Sequence, residues 1–73
     1  MRVLVGRNVK RIRQAKELTQ EQLAETSGFS QQYISGLERG LRNPTVITLY
    51  ELATALGVCH VELVRPARTR QRG

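Results

Sequence analysis

Cysteine, tryptophan and acidic side chains are scarce in this 73-residue chain, which has one Cys, no Trp, three aromatic residues in all and six acidic groups against twelve basic ones. A lone Cys59 excludes the paired disulfide framework on which small secreted domains rely, so a reducing, cytoplasmic setting is expected. One Cys and one His cannot complete the four-ligand shell of a structural zinc site. No carboxylate or oxyanion-forming loop accompanies Cys59 and His60 at a spacing suited to nucleophilic catalysis. No metal, no cofactor and no enzymatic activity are therefore expected. Long apolar runs are missing too: nothing approaches the roughly 20 residues that span a bilayer. Gly6-Arg7 also breaks the short apolar start Val3-Leu4-Val5 before a secretory core could form. A soluble protein with no membrane partner is the expectation.

What is present suits one small helical domain. The apolar content of 40% is enough for a core, but a chain this short buries only about 60% of its unfolded surface, which favours short, closely packed elements. The net charge of +6 attracts polyanions and raises the expectation of a nucleic-acid partner. Part of that charge is terminal, since Arg65, Arg68, Arg70 and Arg72 fall in the last nine residues, and the remainder of the chain carries +2. The reading is a domain over residues 1–64 and a basic, disordered tail over 65–73.

Apolar periodicity and capping residues divide the domain into five helices. Val5, Val9, Ile12 and Ala15 recur at three- and four-residue spacing, predicting a first helix from Val5 to Leu18. Thr19 with Gln22 forms a capping box, and Leu18 with Leu23 stands at the positions of a hydrophobic staple, so a second helix starts near Gln20 and stops by Ser27-Gly28. Ser30, flanked by Phe29 and Ile34 at staple spacing, caps a third helix from about Gln31 to Arg39, ended by Gly40. After the Asn43-Pro44 turn, Thr45 caps a fourth helix with Val46, Leu49, Leu52, Ala53 and Leu56 on one face, closed by Gly57. Cys59 takes the cap position of a short fifth helix reaching about Val64, before Pro66 forbids continuation.

Only two or three residues separate helices two and three, and so short a connection makes the pair cross steeply, as in a helix-turn-helix. Within QEQLAETSGFSQQYISGLER each apolar or small position has a steric reason. Ala24 is small where helix three crosses closely, Gly28 makes the turn, and Phe29, Ile34 and Leu37 bury the inner face of helix three. The wider stretch from Val5 to Leu63, with its LTQEQLA, YISGLERG, RNPT and LATALGV segments, resembles the phage Cro and repressor family, also called the xenobiotic-response-element type. The resemblance implies an all-α, five-helix, lambda-repressor-like DNA-binding domain. It also implies a transcriptional regulator, cytoplasmic and nucleoid-associated in a bacterial or phage setting.

In that geometry the outward residues of the N-terminal half of helix three, Gln31, Gln32, Tyr33 and Ser35, are free to enter the major groove. A glutamine amide offers a donor and an acceptor that match adenine N6 and N7, so Gln31 and Gln32 are the foremost base-reading candidates. By similarity to phage repressors, Gln31 would read adenine. Gln20 at the start of helix two, with Arg39, Arg42 and Asn43 after helix three, are candidate phosphate contacts, as the resemblance also implies for Gln20 and the Arg42-Asn43 loop. The resemblance further implies a buried ion pair between Arg13 and Glu38 joining helix one to the end of helix three. Gly36 departs from a reading helix: it costs roughly 1 kcal/mol relative to Ala and offers no side chain to a base. Close approach to the duplex is one reading of it, and tight packing or weak constraint is the other.

One short helix reads few base pairs, so specificity calls for two copies about 34 Å apart on a two-fold operator. A homodimer is expected, with its seam at the helix four to helix five corner and on helix five itself, including His60, Val61 and Val64. Ile47 and Tyr50 also project from helix four and offer an apolar patch. The same fold permits a second reading, a module that binds a protein partner, such as an antitoxin subunit or an adaptor to the transcription machinery.

Overall fold

The computed structural model describes residues 2–66, which form α1 (Arg2–Ala15), α2 (Gln20–Ser27), α3 (Gln31–Glu38), α4 (Val46–Leu56) and α5 (Val61–Val64). No strand occurs among the described residues, so the architecture is all-α. Three of the four inter-helix junctions follow from local side-chain chemistry. Thr19 Oγ1 accepts the Gln22 N–H at 3.0 Å while Gln22 Oε1 accepts the Thr19 N–H at 2.8 Å, a reciprocal box that starts α2. Ser30 Oγ accepts the Tyr33 N–H at 3.0 Å and Thr45 Oγ1 the Thr48 N–H at 3.1 Å, starting α3 and α4. Each such cap contributes about 1 kcal/mol. Gly28 at φ 85° and Gly57 at φ 74° close α2 and α4 in the left-handed conformation that glycine tolerates best.

Val5, Val9 and Ile12 of α1, Leu23 and Ala24 of α2, Ile34 and Leu37 of α3, Leu52, Ala53 and Leu56 of α4 and Leu63 of α5 make one continuous core. Leu18, Phe29, Leu49, Val58 and Val64 are half-buried against it. Two apolar residues expected inside lie outside: Ala15 is exposed on the last turn of α1, and Val46 is 67% exposed on the first turn of α4, beyond the edge of the core.

The first helix is shifted from its predicted span, starting at Arg2 and ending at Ala15. Its end is a Schellman turn, in which the Leu18 N–H donates to the Arg13 carbonyl and the Glu17 N–H to the Gln14 carbonyl, both at 3.0 Å. The turn puts Glu17 at φ 59°, a conformation costly for a residue with a Cβ. Leu18, which the periodicity assigned to helix one, belongs to this turn. The cap of α5 also differs: His60, not Cys59, stands at the cap position, with no side-chain hydrogen bond. Cys59 contributes its carbonyl to the start of α5, accepting the Glu62 N–H at 2.9 Å.

Two residues of α1 fix the neighbouring helices. A Cβ at Gly6 would collide with the carbonyl oxygen of Leu37 and lie 3.0 Å from that of Glu38, so the missing side chain lets α1 pass directly over the last turn of α3. Asn8 is fully buried, and its Nδ2 donates to the carbonyls of Leu63 at 2.9 Å and Arg65 at 2.8 Å. These bonds hold a four-residue helix far too short to persist alone.

Candidate nucleic-acid interface

Helix α3 buries Ile34 and Leu37 and turns the opposite side outward. Gln31 and Gln32 are exposed on its first turn, and Ser35 and Gly36 follow, half-buried, one turn on. Together with Gln20, Arg39, Leu41 and Arg42 they line a concave surface of about 510 Å³. Six of the eight candidate contacts therefore converge on one face. The other two are Asn43, exposed in the loop before α4, and Tyr33, which is half-buried. The Tyr33 ring stacks on Phe29 with centroids 5.1 Å apart, and the Arg42 guanidinium lies 5.7 Å from the centre of the Tyr33 ring.

A polar network fixes the mutual placement of α2 and α3 behind this face. Arg13 donates through Nε to Glu38 Oε2 at 2.6 Å and through Nη2 to Oε1 at 3.0 Å, a bidentate pair whose side chains are 10% and 2% exposed. The remaining nitrogen, Nη1, donates to the Leu18 carbonyl at 2.7 Å, bracing the turn that leads into α2. Gln20 Nε2 donates to Glu38 Oε1 at 3.0 Å. One carboxylate thus joins α1, the first residue of α2 and the last residue of α3. Sequence reasoning took Gln20 as a phosphate contact alone and missed its bond to Glu38, which leaves its backbone N–H at the start of α2 and its Oε1 available.

Arg39 and Arg42 are exposed and unpaired with any carboxylate among the described residues, so the concave surface presents free guanidinium groups beside neutral amides. Such a surface offers cations to phosphate and amide donors and acceptors to base edges.

The expected dimer seam lies elsewhere, on the side formed by α4 and α5. Val61 is 42% exposed, while His60 and Val64 are half-buried. The His60 ring packs on Tyr50 at 4.4 Å between centroids, which joins the helix-five residues to the exposed apolar group of Val46, Ile47 and Tyr50. Of the tail arginines, Arg65 pairs with Glu62 at 3.2 Å. The expectation of a disordered tail falls for the rest, including Arg68, Arg70 and Arg72, outside the described residues. None of the described helices is long and apolar enough to cross a membrane.

Sequence reasoning also missed Gly6 and Asn8. Asn8 left a signal, because it stands on the apolar face between Val5 and Ile12, where a polar residue demands a buried partner. Gly6 left a weaker one, a mid-helix glycine on that same face.

Residues 9–63 match the model of the family described as HTH_3, helix-turn-helix. The chain is 71% identical over 66 residues to an HTH-type transcriptional regulator of Sinorhizobium fredii, covering 90% of this chain and 86% of that one. It is 44% identical over 54 residues to the immunity repressor protein of Bacillus phage phi105, covering 74% of this chain but 38% of the repressor. Among solved structures, the restriction-modification controller protein C.AhdI of Aeromonas hydrophila superposes with a TM-score of 0.81 at 43% identity, over 84% of this chain and 92% of that one. The exposed outer side of α3, the capped turn that presents it and these similarities agree, and the chain belongs to the HTH_3 family of helix-turn-helix transcriptional regulators.

Proposed function

We propose that the chain binds double-stranded DNA sequence-specifically as a homodimeric repressor, with α3 in the major groove and residues 1–64 as the DNA-binding domain. The observation that carries this is the exposed amide pair Gln31 and Gln32 at the start of a helix whose back is anchored through Glu38 to α1 and α2. Gln31, Gln32, Tyr33 and Ser35 face base edges. Gln20, through its helix-terminal N–H, together with Arg39 and Asn43, grips the backbone.

Dimerisation is supported by the apolar surface of Val46, Ile47, Tyr50 and Val61, which the Tyr50–His60 contact makes continuous across α4 and α5. The seam comprises His60, Val61 and Val64, and it doubles a contact that one short helix makes too weakly for selective binding. The repressor role is supported by the similarity to the phage phi105 immunity repressor. The basic tail over 65–73 adds non-specific attraction to DNA.

Selection of bound duplexes from a random pool by the 73-residue chain tests the reading. A two-fold consensus with half-sites about one helical turn apart is expected, with log affinity falling against log salt at a slope of roughly −5 to −7 for six to eight phosphate contacts. Binding without preference among duplexes, together with tight capture of a protein partner, would replace it with the interaction-module reading.

A further inference from the structure

Gly36 and Arg42 act as one unit on the surface of α3. The helix ends in a Schellman turn, with the Leu41 N–H donating to the Gly36 carbonyl at 2.9 Å, the Gly40 N–H to the Leu37 carbonyl at 3.0 Å and Gly40 at φ 76°. That turn folds the chain back so that the next residue, Arg42, lies against the helix it has just left. A Cβ placed on Gly36 would be 3.2 Å from Arg42 Nε and 3.3 Å from its Cγ, tighter than ordinary contact. The arginine stem therefore occupies the space that a side chain at position 36 would fill. Its guanidinium then reaches one turn toward the N-terminus of α3, over the Tyr33 ring at 5.7 Å, and that ring in turn stacks on Phe29 at 5.1 Å. The charged end is thus carried away from the loop and toward the half of the helix that bears Gln31 and Gln32, on the same concave surface.

Resting on the DNA-binding reading above, the geometry points to Arg42 as a base-reading residue that specifies guanine, in place of the phosphate contact its position in a basic loop implied. A planar guanidinium presented edge-on matches guanine O6 and N7 with two parallel donors, which a neutral glutamine does not. The cation–π contact with Tyr33 limits the orientations the guanidinium samples, so that less freedom is lost on engaging a base. Gly36 is then a positioning residue: its missing side chain is what admits the arginine. Tyr33 positions the guanidinium as well.

The test is duplex selection from a pool randomised over about 20 base pairs, room for two half-sites one turn apart. It is run with the wild-type chain, Arg42→Ala and Gly36→Gln. Gly36→Gln keeps the arginine in the sequence but displaces its stem from the surface of α3, and it raises helix propensity, so a folded variant is expected. Thermal melting of both variants checks this. The expected result is a wild-type consensus with one guanine per half-site whose preference falls about tenfold or more in both variants, at an unchanged salt slope. Uniform weakening on all sequences by Arg42→Ala, with the salt slope reduced by about one per subunit, would make Arg42 a phosphate contact and overturn the proposal alone. A wild-type consensus that Arg42→Ala leaves intact does the same. A wild-type chain that selects nothing overturns both this proposal and the DNA-binding reading beneath it.

Discussion

The α2–α3 region and the α5 region are held by opposite means. Both helices of the helix-turn-helix begin with a side-chain cap, at Thr19 and Ser30, and their backs meet in the Arg13–Glu38–Gln20 network. Helix α5 has no side-chain cap and four residues, and it stays folded through buried Leu63 and two hydrogen bonds from Asn8, which lies 55 residues earlier than Leu63. The helix-turn-helix is specified locally and then locked. The α5 end is held from helix one. The outward helix α3 is thus fixed by contacts within its own region, while the placement of α5 depends on Leu63 and the buried Asn8 amide.

The sharpest way to break the contrast is Glu38→Ala, which strands the Arg13 guanidinium in a site where it is 10% exposed. The expected loss is about 3–5 kcal/mol, a large share of the stability of so small a domain, measured by denaturant unfolding. A variant that melts like wild type would show that the pair does not lock the helix-turn-helix.

Asn8→Leu attacks the other region. It leaves the carbonyls of Leu63 and Arg65 without their donor at about 1–3 kcal/mol. Because those partners belong to α5 and its continuation, hydrogen exchange should accelerate at residues 61–65 while the amides of α3 remain protected, and the proposed homodimer should dissociate more readily. Equal acceleration in both regions would erase the distinction between them.

The smallest effect is a gain. Glu17 occupies a left-handed turn position at φ 59°, and Glu17→Gly should stabilise the chain by up to about 1 kcal/mol. A rise of roughly 4–8 °C in Tm corresponds to that amount in a domain of this size. A fall in Tm would mean that the Glu17 side chain contributes more than its backbone strain costs.

The same contrast explains what could be read from the residues alone. Thr19 with Gln22, Ser30 and Thr45 were legible because a cap bonds to a backbone N–H three residues on, so the partners are fixed by spacing. Gly28 and Gly57 were legible because a left-handed terminus selects glycine. The end of α1 was not, because Leu18 continues the apolar rhythm of α1 while serving the turn, and Glu17 gives no sign of a left-handed conformation. The cap of α5 was misplaced by one residue because the helix is positioned by Asn8 and not by its own first turn.

At the candidate interface, the outward position of Gln31, Gln32 and Ser35 on one concave face was legible from the amphipathic pattern of the helix. The Gly36–Arg42 pairing escaped because it exists only after the chain reverses at Gly40. The collision that forbids a side chain at Gly6 is likewise visible only once α1 and α3 are docked.

The central claim is that the exposed amides of Gln31 and Gln32 read bases from a helix whose stability does not depend on them. The most direct test is the double substitution Gln31→Ala/Gln32→Ala, measured by affinity for the duplex selected by the wild-type chain against a scrambled duplex of equal length. The account predicts an unchanged melting temperature, an unchanged salt slope and a loss of about tenfold or more in discrimination, at one or two adjacent positions of each half-site. Retention of the full wild-type preference by the folded double variant would contradict it.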